Sequence, residues 1–226
     1  MKLYPIMMNL EEKTVVVVGG GNVAGRKVVG LLDSGARVTV ISPELDDGLR
    51  KLADQGRIEW IPEPFDEAML GRYPEVVLLF GATNRREVNV RIHRAAVERK
   101  IPCNVADVPD LCTFTVPAVI TQGELLIAVS TGGSSPALAR RIREDLQKRF
   151  GPEYAEMTRV MGELRKLVLR TQSPSDENKR LFLQIVDSDI LTALRNNNRD
   201  RALEILRTIL PEDVDPDKAL EELPQD

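Results

Sequence analysis

The feature that most constrains the fold is the glycine-rich segment VVVVGGGNVAGRK near the start of the chain. Before it, Thr14–Val18 is β-branched and almost wholly apolar, which is typical of a strand buried on both faces. After it, residues 22–34 carry apolar side chains at helical spacing. A glycine turn in this context matches the G-x-G-x-x-G/A fingerprint of dinucleotide-binding units. The alternative is a glycine turn that merely packs closely.

The fingerprint assigns a role to each position. Gly19 makes the tight turn, Gly21 lets the backbone approach a pyrophosphate, and Ala24 fills the helix-packing position. The first amides of the helix, at Asn22 and Val23, are expected to face the phosphates, aided by the helix dipole.

The end of the second strand, Arg37–Ile41, bears on the choice between NAD and NADP. An acidic residue ordinarily follows such a strand and binds the ribose hydroxyls, but here Ser42 occupies that position. We expect Pro43 and Glu44 to lie at the cofactor. Because no arginine stands at positions 42–46 to meet a 2′-phosphate, the sequence favours NAD.

Strand-like and helix-like segments continue to alternate after this point. The pattern predicts an α/β fold with a Rossmann-like parallel sheet and helices on both faces. The loop after the fourth strand should line the ligand crevice, which places Thr83 near the cofactor; the alternative is a plain turn capped by Asn84. The predicted helices cover residues 44–54 and 86–99, and the predicted strands cover 57–61, 76–80 and 102–105.

The pattern changes after Asp107. Strands at 114–120 and 124–130 are predicted to form a hairpin, and Gly151-Pro152 is the clearest break. We expect a Rossmann domain at 1–112, a small α+β segment at 113–150 and a helical C-terminal domain at 151–226, with a poorly ordered tail from 211. The predicted helices are 137–149, 153–170, 177–186, 190–196 and 199–210.

Composition excludes several classes of function. The 226 residues are 42% hydrophobic and 29% charged, which is typical of a globular protein, and the net charge of −4 does not suggest nucleic-acid binding. No signal peptide or membrane span is predicted, so we expect a cytoplasmic location. One histidine, His93, and two cysteines without CxxC spacing predict no bound metal.

Six segments, taken together, resemble the precorrin-2 dehydrogenase / sirohydrochlorin ferrochelatase family, the module that completes siroheme synthesis. In order, the segments are YPIMMNLEEKTVVVVGGGNVAGRK, LLDSGARVTVISPE, PFDEAML, GATNRREVN, CNVADVPDLCTFTVPAVI and LLIAVSTGGSSPALARRIREDL. The last two segments of this list are the specific ones, because a generic Rossmann domain has no reason to carry them.

The resemblance implies NAD-dependent oxidation of precorrin-2 to sirohydrochlorin, followed in some members by insertion of ferrous iron at the same site. It also implies a homodimer in which the hairpin of segment 113–150 builds an intertwined interface. Larger fused members add a methyltransferase module, which this chain is expected to be too short to contain.

Asp107 is the first candidate for a catalytic residue. It follows the fifth strand, so it should project at the carboxyl edge of the sheet, where a carboxylate can take the proton lost when the substrate gives up a hydride. The resemblance places the family's key aspartate at this position. The alternative is a loop aspartate that caps the turn at Pro109.

The segment 130–135 is a candidate substrate-binding loop. Its hydroxyls and glycine amides, at a helix N-terminus, are typical of an anion site, and the implied substrate is rich in carboxylates. Thr131, Gly132 and Ser134 are the residues expected to contact it. The alternative is simple N-capping of the next helix by Ser134 or Ser135.

The remaining polar residues are expected to be structural or exposed. Cys103, Cys112, Met157 and Met161 are predicted to be buried, and His93 to lie at a boundary. Arginines could meet substrate carboxylates, but each alone, like Lys27, more often faces solvent. The arginines concerned are Arg85, Arg86, Arg140, Arg141 and Arg143.

Two other functions are compatible with part of the pattern. A regulatory domain that senses NAD without catalysis would explain the glycine loop, but it needs no polar cleft around Asp107. A hydroxy-acid dehydrogenase ordinarily uses a histidine acid–base pair, and His93 lies in a charged helical segment instead.

Overall fold

The computed structural model describes residues 3–169 and 175–220. The chain divides into two compact units, Met1–Val116 and Pro117–Asp226, each described by itself below. The three-domain division at 112/113 and 150/151 stays a proposal.

The first unit is a five-stranded parallel sheet in the order β3-β2-β1-β4-β5, which confirms the predicted Rossmann-like fold. Val18 pairs with both Ile41 and Gly81, so three strands end at the same edge. The strand order reverses between β1 and β4, and ligands bind at such a point. The strands are β1 (Thr14–Val18), β2 (Arg37–Ile41), β3 (Glu59–Ile61), β4 (Val76–Gly81) and β5 (Cys103–Val105).

Helices cover both faces of this sheet, which explains the unbroken apolar run of β1. Val15 and Val17 pack in the cluster that contains Val28, whereas Val16 and Val18 pack in a second cluster on the other face. The helices are α1 (Asn22–Asp33), α2 (Asp47–Asp54) and α3 (Arg86–Arg99), with short 3-10 turns at Glu67–Arg72 and Pro109–Leu111.

Several boundaries in this region differ from the prediction by one to three residues; the third strand, for example, starts at Glu59 rather than 57. The second helix starts at Asp47 rather than 44, because the Asp46 carboxylate accepts a hydrogen bond from the Leu49 amide at 2.9 Å and caps the helix there. The fifth strand starts one residue later than predicted, at Cys103.

The second unit begins with a β-hairpin of β6 (Ala118–Gln122) and β7 (Leu125–Val129). The first strand begins four residues later than predicted and extends to Gln122. Gln122 pairs with Leu125 across a two-residue turn, in which Gly123 adopts a φ of 56° that favours glycine.

Six helices follow within the described residues; five lie close to the predicted spans, and the sixth falls in the tail, where none was predicted. Their shared core contains Val160, Leu164 and Met157, which confirms the predicted burial of Met157, whereas Met161 is half-buried and packs against this core. The tail prediction is wrong for 211–220, since Leu220 is fully buried; residues 170–174 and 221–226 lie outside the described part. The helices are α4 (Pro136–Arg149), α5 (Glu153–Val168), α6 (Ser175–Asp187), α7 (Ile190–Arg195), α8 (Arg199–Ile209) and α9 (Asp217–Leu220).

An ion pair between a buried carboxylate and a half-exposed guanidinium joins the start of α5 to the end of α7. The Glu153 side chain is only 7% exposed, and its Oε1 accepts hydrogen bonds from Nη2 of Arg195 at 2.9 Å and from Nε at 3.1 Å. Burial would raise the pKa of Glu153, but its backbone hydrogen bonds and the Arg195 guanidinium outweigh burial and hold the pKa below its usual value.

We expect Arg195→Met to lower the free energy of unfolding by about 2 kcal/mol at pH 7, because a buried carboxylate loses its charged partner. A carboxyl group whose pKa is lower in the folded than in the unfolded state stabilises the fold at pH values above its unfolded pKa. The difference in unfolding free energy between wild type and Arg195→Met should therefore shrink as the pH falls below about 4.3. Urea unfolding across this pH range measures it. Arg201→Met, which breaks the exposed pair with Glu204, is the control and should change little. Equal effects of the two substitutions would contradict the prediction.

Candidate functional site

Loops at the carboxyl edge of the parallel sheet enclose a cavity of about 510 Å³ in the first unit. It opens where the strand order reverses. Its walls combine the glycine loop, the end of β2, and the turns after β3, β4 and β5. The lining residues are 18–23, 41–43, 64–65, 82–85, 88 and 106–107.

The glycine loop combines two residues that must be glycine with a third that faces open space. A Cβ at Gly19, where φ is 124°, would overlap the carbonyl oxygen of Ala82, and one at Gly20 would overlap that of Glu44. A Cβ at Gly21 would meet no described atom within 4 Å. The space beside Gly21 is therefore free for a ligand, as the fingerprint predicts.

The N-terminus of α1 opens onto the same cavity. Gly21 is the N-cap residue, and among the described residues no side chain caps it and none in the first turn is acidic. The amides at Asn22 and Val23 can therefore meet an anion, and the helix dipole favours negative charge there. This cradle fits the pyrophosphate of a dinucleotide.

The end of β2 presents a buried serine and a proline to the cavity. The Ser42 carbonyl accepts a hydrogen bond from the Trp60 indole at 2.9 Å, which anchors the strand end. Pro43 lines the cavity as predicted. Glu44 is exposed and does not line it, and its backbone carbonyl packs on Gly20. A contact between the Glu44 carboxylate and the ribose stays a prediction.

Thr83 lines the cavity, with its hydroxyl used to shape the loop after β4. The hydroxyl donates to Oδ1 of Asn89 at 2.8 Å, and Nδ2 of this buried asparagine donates to the Thr83 carbonyl at 3.0 Å. The alternative of an Asn84 cap is wrong, because α3 begins after Arg85 with no side-chain cap in the described structure.

Asp107 lies in the turn after β5 and lines the cavity. Its φ of 60° is left-handed, which is uncommon for a residue other than glycine and is tolerated best by Asp and Asn. Its side chain does not cap the following turn, which starts after Val108 without a side-chain cap in the described residues. The capping alternative therefore fails, and the carboxylate remains available to a ligand.

The expectation that Lys27 faces solvent is wrong. It is half-buried, and its ammonium donates to Oδ1 of Asn104 at 2.9 Å and lies 5.1 Å from the centre of the Phe80 ring. Burial lowers its pKa below the usual value. The signal in the sequence was its place on the stripe formed by Ala24, Val28 and Leu31.

The cysteines and the histidine behave as structural residues. Cys103 is fully buried, which raises the pKa of its thiol to about 12, and Cys112 accepts from the Val105 amide at 3.2 Å. His93 is half-buried with Nδ1 3.1 Å from the Leu111 carbonyl, which confirms the boundary prediction. Across the described ranges, no group of three or more histidine, cysteine, aspartate or glutamate residues could hold a metal ion.

The predicted substrate loop lies in the second unit. Ser135 caps α4 by accepting from the Leu138 amide at 3.2 Å, and Thr131 bonds to the Ser135 backbone at 3.0 and 3.1 Å. The amides of Gly132 and Ser134 are bonded within the loop, to Oγ of Ser130 and to the Thr131 carbonyl. Ser134 is exposed, so its hydroxyl is accessible.

The candidate arginines lie in three places. Arg86 is exposed at the first position of α3. Arg85 lines the cavity of the first unit. Those on α4 form ion pairs along their own helix: Arg140 and Arg143 with Glu144, and Arg141 with Asp145.

A Rossmann-like sheet with a glycine loop and an open helix N-terminus defines a dinucleotide-binding protein. The NAD(P)-binding family model matches residues 6–118, and a model for the central part of sirohaem biosynthesis proteins matches residues 122–149. The chain therefore belongs to this NAD(P)-binding family, and the expected nicotinamide dinucleotide cofactor is confirmed.

Individual relatives agree with the family resemblance noted in the sequence. The chain is 39% identical over 191 residues to a siroheme synthase of Methylobacillus flagellatus, covering 84% of this chain and 40% of the relative. It is 36% identical over 216 residues to siroheme synthase 1 of Aeromonas salmonicida, covering 95% and 45%. The chain thus spans less than half the length of these relatives.

A solved structure, SirC, precorrin-2 dehydrogenase, matches with a TM-score of 0.73 and 28% identity, covering 91% of this chain and all of that chain.

Among residues 3–169 and 175–220, no helix combines the length and apolarity needed to cross a bilayer.

We expect Gly21→Asp to weaken NAD binding at least about a hundredfold, because a carboxylate would occupy the pyrophosphate space and repel its charge. The protein should fold normally, since a Cβ at this position meets open space. Titration calorimetry with NAD measures the affinity. Gly30→Asp, at another open position of the same helix, is the matched control. Wild-type affinity in Gly21→Asp would refute the placement of the pyrophosphate.

Proposed function

We propose that this protein oxidises precorrin-2 to sirohydrochlorin in siroheme biosynthesis, with NAD as the hydride acceptor. The observation that carries the proposal is that Asp107 lines the same cavity as the glycine loop and that its carboxylate does not cap the turn that follows it. The siroheme synthase relatives and the likeness to SirC, precorrin-2 dehydrogenase, supply the substrate class.

The proposed chemistry divides between the cofactor and the chain. When bound, NAD accepts a hydride from the tetrapyrrole, and the products are sirohydrochlorin, NADH and one proton. Asp107 takes that proton from the substrate, because its carboxylate lies on the cavity wall and accepts no hydrogen bond from the described residues. The left-handed backbone at Asp107 holds the carboxylate there without a bond to its own turn.

The substrate's carboxylates need cationic or hydrogen-bonding partners. Arg85 is the cavity-lining arginine among the candidates, and its guanidinium can bind a carboxylate through two hydrogen bonds. Thr131, Gly132 and Ser134 are retained as proposed substrate contacts, with the exposed Ser134 hydroxyl as the most accessible donor.

NAD rather than NADP is proposed as the physiological cofactor. The cavity wall at the end of β2 consists of Ser42 and Pro43, and no arginine occurs between positions 42 and 46. A 2′-phosphate would therefore lack the cation that ordinarily neutralises it there.

Insertion of ferrous iron is proposed as a second activity of the same site, with iron as a substrate. Asp107 is the group that would accept the pyrrole N–H protons displaced by the metal. The alternative function, an NAD-sensing domain without catalysis, predicts NAD binding but no turnover.

An anaerobic assay with precorrin-2 and NAD tests the proposed function. Sirohydrochlorin and NADH should appear in equal amounts, followed by faster formation of siroheme when ferrous iron is added with the protein than without it. Equal rates with and without protein would remove the chelatase activity only. NAD binding without oxidation would favour the sensing domain.

We also propose a homodimer built through the second unit. The outer face of its hairpin exposes apolar side chains, with Val119 37% and Leu126 45% exposed, and on α4 Leu138 is 52% exposed. A two-stranded hairpin with an apolar outer face is typical of an interface.

A cytoplasmic location is proposed from the two free thiols, which suit a reducing compartment.

We expect Asp107→Asn to lower kcat by about 10²- to 10⁴-fold, because the amide cannot accept the proton. Asparagine tolerates the left-handed backbone, so folding and NAD affinity should be unchanged. Stopped-flow absorbance of NADH measures the rate. Asp110→Asn, an exposed change in the same loop, should leave it unaltered. Full activity of Asp107→Asn would exclude Asp107 as the base.

We expect Leu126→Glu to convert the dimer to monomers, because dimerisation would bury a carboxylate on the apolar face. Sedimentation equilibrium measures the mass. Val97→Glu, at a 55% exposed position on α3, is the control and should stay dimeric. A monomeric wild-type protein would overturn the proposed dimer.

A further inference from the structure

Four side chains from different segments form a closed cluster in the first unit. Lys27 on α1 lies over the ring of Phe80 on β4, and its ammonium donates to Oδ1 of Asn104 on β5. Nδ2 of Asn104 donates to the carbonyl of Phe114 at 3.1 Å. The rings of Phe114 and Phe80 meet edge to face at 5.4 Å. We call these four residues the Lys27 cluster.

The cluster determines the orientation of the Asn104 amide. An ammonium group only donates hydrogen bonds, so the oxygen of the amide must face Lys27. Nδ2 therefore faces the Phe114 carbonyl, which can only accept. Asn104 is 8% exposed, so each of these bonds replaces water that its polar atoms cannot reach.

This amide stands at the base of residues 105–113, the segment that carries Asp107 and is called the Asp107 excursion below. Asn104 and Phe114 flank this segment, and the hydrogen bond between them closes it. Next to it, the Cys103 amide donates to Oγ1 of Thr113 at 2.8 Å, and the Thr113 amide donates to the Cys103 carbonyl at 2.8 Å. These bonds close the segment at its base, and the Ala106 amide, which donates to the Gly81 carbonyl at 2.8 Å, holds it to β4 next to Asp107.

The ammonium occupies its site at an energetic cost. Burial, together with Arg26, lowers the pKa of Lys27, and Cys112 and Asp107 offset this only in part. An apolar side chain would satisfy packing against Phe80 without desolvating a charge, so packing alone does not explain a lysine here. What only a donor can supply is the bond to Asn104.

We propose that Lys27 is a positioning residue, which orients Asn104 and thereby holds the Asp107 excursion against the cavity. Lys27 does not line the cavity and takes no part in proton or hydride transfer. The inference rests on the proposed function, because positioning is measured through turnover of precorrin-2.

Lys27→Met tests the proposal, since it keeps most of the unbranched side chain, one heavy atom shorter, and removes the donor. We expect kcat to fall roughly tenfold to a hundredfold, as a shift of about 1 Å in a reacting group can produce. The KM for precorrin-2 and the Kd for NAD should stay within about twofold, because Lys27 contacts neither ligand in this proposal. Lys27→Arg, which retains a charged donor, should recover most of the lost kcat.

Two further variants keep the test decisive. Lys51→Met, an exposed lysine on α2, is the matched control and should have wild-type kinetics. Lys27→Leu, which also removes the donor and keeps an apolar side chain against Phe80, carries the same test if Lys27→Met does not fold, and it should also lower kcat with NAD affinity unchanged. A loss of NAD affinity that parallels the loss of kcat would show a general structural role and overturn the proposal.

The outcomes separate this inference from the proposed function. Turnover by wild type and by Lys27→Met at the same rate would overturn the positioning role alone. No turnover by wild type, with NAD still bound, would overturn the proposed function and the positioning role with it. A kcat that falls with KM and NAD affinity retained, and that Lys27→Arg restores, is the result that supports both.

Discussion

The first unit depends on how closely its backbone segments approach one another at the carboxyl edge of the sheet. Gly19 and Gly20 touch the carbonyl groups of the loops that follow β4 and β2, at distances that leave no room for a side chain. The three loops therefore meet through their backbones. The third glycine, Gly21, takes no part in this contact, so it leaves a free surface at the N-cap of α1.

The chemistry of the cavity follows from this arrangement. The open N-terminus of α1 supplies a site for negative charge on one side, and the turn after β5 supplies a carboxylate on the other. Both belong to the same sheet edge, because parallel strands end together. A hydride acceptor and a proton acceptor can thus serve one substrate, provided that Asp107 keeps its backbone conformation.

Much of this could be predicted from the sequence, for identifiable reasons. The strand–glycine–helix pattern is local, so β1, α1 and the role of Gly21 could be inferred from neighbouring residues. The start of α2 could not, because both Ser42 and Asp46 are good caps and the choice depends on tertiary packing. The burial of Lys27 can be inferred from its place on the apolar stripe of α1, but the partner of its ammonium cannot, because Asn104 lies 77 residues away along the chain.

The tip of the hairpin in the second unit has a consequence for folding. A Cβ at Gly123 would lie 3.0 Å from the Cα of Ala155, so the turn rests directly on α5, and Gln122 is bonded to the Phe150 carbonyl at 3.0 Å. A lone hairpin is marginally stable in water, so β6 and β7 should persist only while α4 and α5, which pack on them, are in place. Amide protons of the hairpin should therefore exchange with solvent in step with those of the helical core, which makes hairpin and helices one cooperative unit.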